Sequence, residues 1–554
     1  VTGVQTCALP ICKAMKPNNL IRVSLIVCIV LLCTGFAVYS FMRLDTVEER
    51  RNFDLFTLIP QDVEAVFETD CAAELVEDID NMVCSRNGHF LYASDLFSSV
   101  KKYLRSFMEE EPHGLRWEMN ELVVSFHNPD LQNDQVLYCR MGTGDRTLLE
   151  NHLRRSGSAT FPSRTSSYRG QTIEVYPLVD GRFLAVWMKR DFLVVSFQKR
   201  LVEQVIDAWK QKKTLAQLDT FHFTNEKKRE ENNTTVYVRW PVRTASQFAT
   251  DASLWLEFNL KFAEEGVYCA GIVHGSDTLG IPLRDALFES YPLEGFSGDK
   301  LPASTFLYKV RTLSASKAEV GCALKRLQAD STMVVSANGS FDASLASYFQ
   351  LEAGSQMLSC GFLSNDSAAR KPFTVLNISV KDVAHAQWEL QKLLYSVSQG
   401  RYPFYKSFSA ATGVSGLRLY RLPDHRLTAL LAGYTGGPAF TYACFYKHSL
   451  LLSPDEQSLA AYVISLERGD VLESQLFYEI ATEKLAPDYQ ALVMADMSEV
   501  VLHPDLSRDL LPPFFLAHAD FFRHFLLSIQ LCCVENVIYP SLVLLYAYPD
   551  VPAE

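Results

Sequence analysis

One order of elements is written twice along this chain, and that repetition limits its possible folds more than any single motif does. The stretch "LIPQDVEAVFETDCAAELVEDID" reads as a turn, a strand over Val63 to Glu68 and a helix from about Cys71. The later "KLPASTFLYKVRTLSASKAEVGCALKRLQ" repeats the order, with Pro302 in the turn, a strand over Thr305 to Val310 and a helix from about Ser316. A longer unit, "YRGQTIEVYPLVDGRFLAVWMKRDFLVVSFQKRLVEQVIDAW", reads as three strands and a helix. In it Ile173, Val175, Phe183, Ala185 and Trp187 alternate with polar residues, as half-buried antiparallel strands do. The segment from Gly416 to Leu466 has the same elements with an insertion around "GYTGGPAF".

Each of these units closes in a helix with apolar residues at helical spacing: Leu201, Val205, Ala208 and Trp209 in one, Leu459, Tyr462, Val463 and Leu466 in the other. "SPDEQ" predicts the start of the second helix, with Ser453 as its cap and Pro454 at its first position. A strand follows each helix, "TTVYVRW" and "QALVMAD". The expected fold class is therefore α+β, with two tandem, related modules over residues 44–290 and 291–554. Each is read as a mostly antiparallel sheet with helices packed on one face. A single sheet shared by both copies is the open alternative. The charged "TNEKKREENNTT" is read as an exposed loop inside the first module.

The chain ahead of these modules has a different character. Val1 to Ile11 matches, residue for residue, the translation of a common short-read sequencing adapter, so residues 1–14 are read as a non-native leader and Met15 as the natural start. Val23–Met42 then carries no charge and is long enough to cross a bilayer as a helix. Lys16 and Arg22 precede it, which favours a cytoplasmic N-terminus over residues 15–22. The expectation is a single-pass signal anchor in the inner (cytoplasmic) membrane, with the large C-terminal part in the periplasm or extracytoplasmic space. The rivals are a signal peptide cut after Ser40 and a lipoprotein cut before Cys33, the latter disfavoured by Leu32.

Charge and cysteine usage narrow the partners. The chain holds 64 acidic against 52 basic residues, and Lys13, Lys16, Arg22 and Arg43 all precede the body. A body this acidic argues against nucleic acid as a partner, which needs clustered positive charge. The body cysteines form no C-x-x-C pair. Cys71 and Cys84 are spaced so that an oxidising compartment could join them, and others sit in apolar strand patterns, where cysteine acts as a small hydrophobe.

An N-terminal anchor, the turn, strand and helix of "IPQDVEAVFETD", and duplicated hairpin modules together resemble a bacterial family of membrane-anchored extracytoplasmic proteins of unknown function, common in gut anaerobes. The resemblance is architectural, covers most of residues 15–554 and implies no catalytic residues.

No motif supplies chemistry. His518 and His524 in "HADFFRH" lack the spacing of a metal-binding helix. Ser314 and Lys317 match the S-x-x-K pattern of penicillin-recognising enzymes, but Ser98 with Lys101 and Ser99 with Lys102 match it equally, and no K-T-G strand follows. Gly142 and Gly144 in "MGTGDRT" have neither the third glycine nor the lysine of a phosphate loop. The 35 Phe and 24 Tyr residues are read mainly as core, with Phe514 to Leu527 as an amphipathic helix. No catalytic, cofactor-binding or metal-binding residue is assigned and no cofactor is expected. The leading expectation is a non-catalytic membrane-tethered envelope protein that binds or scaffolds an envelope protein partner. A carrier or sensor of an apolar ligand in a sheet and helix cavity is the alternative, and an enzyme whose site is assembled from distant residues comes third.

Overall fold

The computed structural model describes most of residues 53–547. Residues 1–52, 88–120, 222–233, 242–252, 275–289, 328–338 and 548–554 lie outside the description, with shorter stretches elsewhere. The described strands build one 20-stranded sheet. Its first half comprises β1 (Ala65–Thr69), β2 (Leu122–Phe126), β3 (Gln135–Arg140), β4 (Arg164–Tyr168), β5 (Gln171–Pro177), β6 (Phe183–Met188), β7 (Phe192–Ser196), β8 (Thr234–Pro241), β9 (Ser253–Ala263) and β10 (Gly266–His274). A short β11 (Leu293–Glu294) pairs apart from the sheet with β19 (Asp488–Tyr489). The second half comprises β12 (Thr305–Thr312), β13 (Ala353–Leu363), β14 (Pro372–Val380), β15 (Tyr405–Ser407), β16 (Arg418–Arg421), β17 (Tyr442–Tyr446), β18 (Ser449–Ser453), β20 (Ala491–Asp496), β21 (Phe525–Val534) and β22 (Val537–Tyr546).

Following the antiparallel ladders from one edge gives β4-β5-β6-β7-β3-β2-β1-β8-β9-β10. From the other edge the order is β15-β16-β17-β18-β14-β13-β12-β20-β21-β22. Position by position these are the same path. Smaller features repeat with it. Pro60 bridges to Thr214 and Pro302 to Val471. Leu215 N donates to Ile59 O at 2.8 Å, and Leu472 N to Leu301 O at 2.9 Å. The hydroxyl of Ser196 closes β7 onto Gln135 O at 2.7 Å, and that of Ser453 closes β18 onto Thr374 O at 2.9 Å.

The halves meet through β10 and β22, which pair antiparallel from Gly266↔Leu545 to Ala270↔Ser541. Matching the ladders on either side makes Ala270 and Ser541 equivalent residues, so a local two-fold axis runs through that pair, perpendicular to the sheet. Perfect symmetry would continue the ladder to His274. It stops instead where Gly271 would face Pro540, because proline has no N–H to donate.

Helices cover both faces. They are α1 (Ala72–Asn81), α2 (Lys199–Gln211), α3 (Gly339–Glu352), α4 (Val383–Val397), α5 (Leu427–Ala432), α6 (Glu456–Arg468) and α7 (Leu476–Glu483), with several shorter turns. On one face α2 packs Leu201, Val202, Val205 and Ile206 against Val123, Tyr138, Trp187 and Val194, and α6 packs Leu459, Tyr462 and Val463 against Leu358, Cys360, Val375 and Leu451. On the other face α1 covers Phe67, Val124 and Leu137, while α3 and α4 cover Leu376, Ile378 and Leu450. Two-sided cover explains why β7 and β18 bury almost every residue instead of alternating. The two edges are β4, whose residues are mostly exposed and polar, and the three-residue β15; short or polar edges limit pairing with other chains.

Three expectations are corrected here. The class is not α+β with each sheet covered on one face: among the described residues it is a single antiparallel sheet with comparatively few helices, which lie on both faces. The predicted single-pass anchor, and with it the inner-membrane placement and an extracytoplasmic body, finds no support: among the described residues no helix is long and apolar enough to cross a membrane. The longest described helix, α4, has 15 residues, short of the about 20 that a bilayer core needs, and Val23–Met42 lies outside the described residues, as do residues 1–14. Finally, Phe514–Leu527 is not one helix. Pro513–Ala517 and Ala519–Phe522 form two single turns, and Phe525 then enters β21.

Gly266 opens the ladder between the halves, and a Cβ there would meet the Leu544 carbonyl oxygen at 2.2 Å. Gly266→Ala is expected to cost about 1–3 kcal/mol through this backbone clash. Urea unfolding monitored by circular dichroism measures it, and an unchanged midpoint would contradict the packing of the seam.

Candidate functional site

Three places concentrate chemically capable side chains. The first lies at the end of β2. Ser125 Oγ sits 3.2 Å from His127 Nε2 and 3.0 Å from the Tyr138 hydroxyl. Strand spacing of two puts Ser125 and His127 on one face. Burial pulls the His127 imidazole below its ordinary range, although Asp62 and Asp134 pull the other way. A neutral imidazole beside a hydroxyl is the pairing that activates a serine nucleophile. Here the serine has no access: Ser125 and Tyr138 are both 0% exposed. The Asp134 carboxylate is taken by the Gln198 amide, with Arg200 at 3.9 Å. The group therefore serves to satisfy the buried Tyr138 hydroxyl.

The second place is a polar ladder on the α2 face of β1, β8, β9 and β10. Tyr237 donates to Glu68 at 3.3 Å, Thr235 to Asn259 at 3.2 Å, and His274 Nε2 lies 2.7 Å from Glu257. The equivalent positions of the second half are largely apolar: Val310, Met494, Leu492 and Leu545. Each of these polar groups meets a partner across the strands.

The third place is α7. Its inner side buries Tyr478 and Ala481, while Leu476, Phe477 and Ile480 stand 70%, 36% and 44% exposed. Beside it a crevice opens between Phe477, Tyr478, Tyr308, Met494 and Leu526. It admits water-sized groups over about 20 Å³, room for a water molecule or two.

The residues weighed from the sequence do not converge. Ser98, Ser99, Lys101, Lys102, Gly142, Gly144, Ser314 and Lys317 lie outside the described residues, and so does most of "GYTGGPAF". The His518 ring packs against Phe514 at 4.8 Å, and among the described residues no group of three or more His, Cys, Asp or Glu side chains is placed to hold a metal ion. Cys71 and Cys84 are both free and buried rather than joined. Cys71 lies 3.4 Å from the Thr69 hydroxyl, and Cys84 sits in a separate apolar cluster. Burial raises both thiols above their usual range, which keeps them protonated and unreactive. Of the three places above, only α7 left a legible trace: "QLFYEIATE" has more apolar residues than one buried stripe of a short helix can use.

No protein-family profile, curated protein or solved structure matches this chain.

His127 sets a measurable pH dependence. It is held neutral when folded, whereas the unfolded imidazole gains a proton near pH 6.5. Its contribution is present above that pH and is lost as pH falls from about 6.5 toward the lowered folded value. The urea midpoint of the wild type should therefore drop more between pH 7 and pH 5 than that of His127→Gln. Parallel curves would contradict a neutral, half-buried His127.

Proposed function

We propose that the protein is a non-catalytic binding protein that engages a protein partner through the outer side of α7. The observation that carries this reading is the stripe of Leu476, Phe477 and Ile480, exposed on a helix whose other side is already packed. A single exposed apolar residue is ordinary, but a contiguous group beside a crevice marks an interaction surface. Phe477 lines the crevice and supplies the aromatic anchor that such surfaces favour. The crevice is far smaller than a lipid-sized ligand needs, so it lends the carrier reading no support. The buried Ser125 gives an enzyme no open nucleophile.

A photo-crosslinking residue at Phe477, in the cells that make the protein, tests this. A discrete heterologous product is expected, and it should vanish when Leu476→Gln and Ile480→Gln are added. Both changes lie on exposed positions, so the folding free energy should stay within about 0.5 kcal/mol of wild type. The same crosslinker at the exposed Tyr395 on α4 is the control. A yield no greater than the control, or a product that is only a second copy of the chain, would overturn the reading.

A further inference from the structure

Lys309 occupies the middle of β12, with strands bonded on both sides: it pairs with Ser359 on β13 and Val493 on β20. Residues opposite one another in an antiparallel pair project from the same face, here the face away from α7. Ser359 is 4% exposed, and among the described residues its hydroxyl oxygen has no hydrogen-bond partner. Among the described residues no carboxylate pairs with Lys309, and the neighbouring charge it feels is that of Arg311, two residues along the same face. Arg311 itself donates to Leu431 O at 2.9 Å. An ammonium and a hydroxyl, both largely withdrawn from water and both without partners among the described residues, thus stand side by side on adjacent strands.

The other half of the molecule shows that the fold does not require this. The residue equivalent to Lys309 is Phe67, which pairs with Val124 on β2 and Val236 on β8. Phe67 and Val124 belong to the apolar core under α1. The same backbone position therefore accepts an apolar pair, yet the second half carries Lys309 and Ser359 at a cost in desolvation. Burial and the nearby Arg311 push the Lys309 ammonium down to about 7, the response of a cation that lacks an anion.

We propose that Lys309 and Ser359, with the positive charge of Arg311 beside them, form a binding site for a small oxyanion, a phosphate or a carboxylate. The anion would accept from the ammonium and from the serine hydroxyl, satisfying both. The site lies on the opposite face from α7 and is independent of the partner-binding reading.

The test uses the full chain with inorganic phosphate or acetate, each at millimolar concentration and constant ionic strength against chloride. Two readouts are taken: the melting temperature, and the rate at which an amine-acylating reagent labels Lys309 near neutral pH, mapped by mass spectrometry. The melting temperature should rise saturably with one of the two anions, and labelling of Lys309 should slow about tenfold when that anion is at ten times its Kd. Phosphate alone, or acetate alone, identifies which oxyanion the site takes. Lys309→Met, which copies the apolar character of the Phe67 position, should melt higher than wild type in chloride and lose the saturable rise. A wild type without protection by either anion, or a Lys309→Met variant with the same saturable rise, would overturn the proposal. Should Lys309→Met not fold, the labelling rates of the wild type decide alone.

Discussion

Five residue pairs between β10 and β22 hold the two halves of the sheet in one register. Everything else is organised around that ladder. Because both strands are the last of their half, and because they run antiparallel, the two halves are related by rotation and present equivalent faces on the same side. That is why α2 and α6 lie on one side of the sheet, with α1 and α3 on the other. The seam also has cover of its own: Met82 and Cys84 from the first half share an apolar cluster with Leu527, Leu544 and Phe525 from the second. Backbone bonds set the register, and this shared cluster supplies the burial that keeps the seam from opening.

The halves keep one plan but not one chemistry. Around the seam, the first half carries Glu68, Thr235, Tyr237 and His274 where the second carries Val310, Leu492, Met494 and Leu545. On the opposite face the difference is reversed, with Phe67 and Val124 set against Lys309 and Ser359. An internal repeat thus gives its own control experiment: whatever both halves share serves the fold, and whatever only one half has needs another explanation. Left-handed backbone turns follow the same logic. Gly469 ends α6 with φ of 71°, while Lys212 ends α2 with φ of 55°, a conformation that glycine adopts at less cost; the lysine shows that the turn, not the residue, is what the fold demands.

Local elements were far more legible in the sequence than their assembly. Helices α2 and α6 were marked by apolar residues at helical spacing, and β7 and β18 by short apolar runs before them. The cap of α6 was misplaced by two residues: Asp455 caps it, accepting from Ser458 N at 2.8 Å, while Ser453 ends the strand. Phe514–Leu527 was read as a helix because a short apolar run fits either period, and only pairing with β20 and β22 makes its end a strand. The two-sided cover was hidden for the same reason, since a strand buried on both faces loses its alternation. Lys309 was invisible because a polar residue between Tyr308 and Val310 looks like the wet side of an amphipathic strand. Its place between two bonded strands depends on ladders to β13 and β20, which join residues far apart in the chain.

The rotational seam has a meaning for how such a molecule could arise. Self-complementary contact through a terminal strand is how two identical subunits meet in a symmetric dimer. Fusing two such subunits into one polypeptide replaces an encounter that depends on concentration with one that is intramolecular. It also frees each copy from the requirement to be identical. Pro540 opposite Gly271 is a change of that kind: in a dimer of identical chains it would interrupt the seam on both sides of the axis, whereas in one fused chain it interrupts it on one side and leaves the other intact.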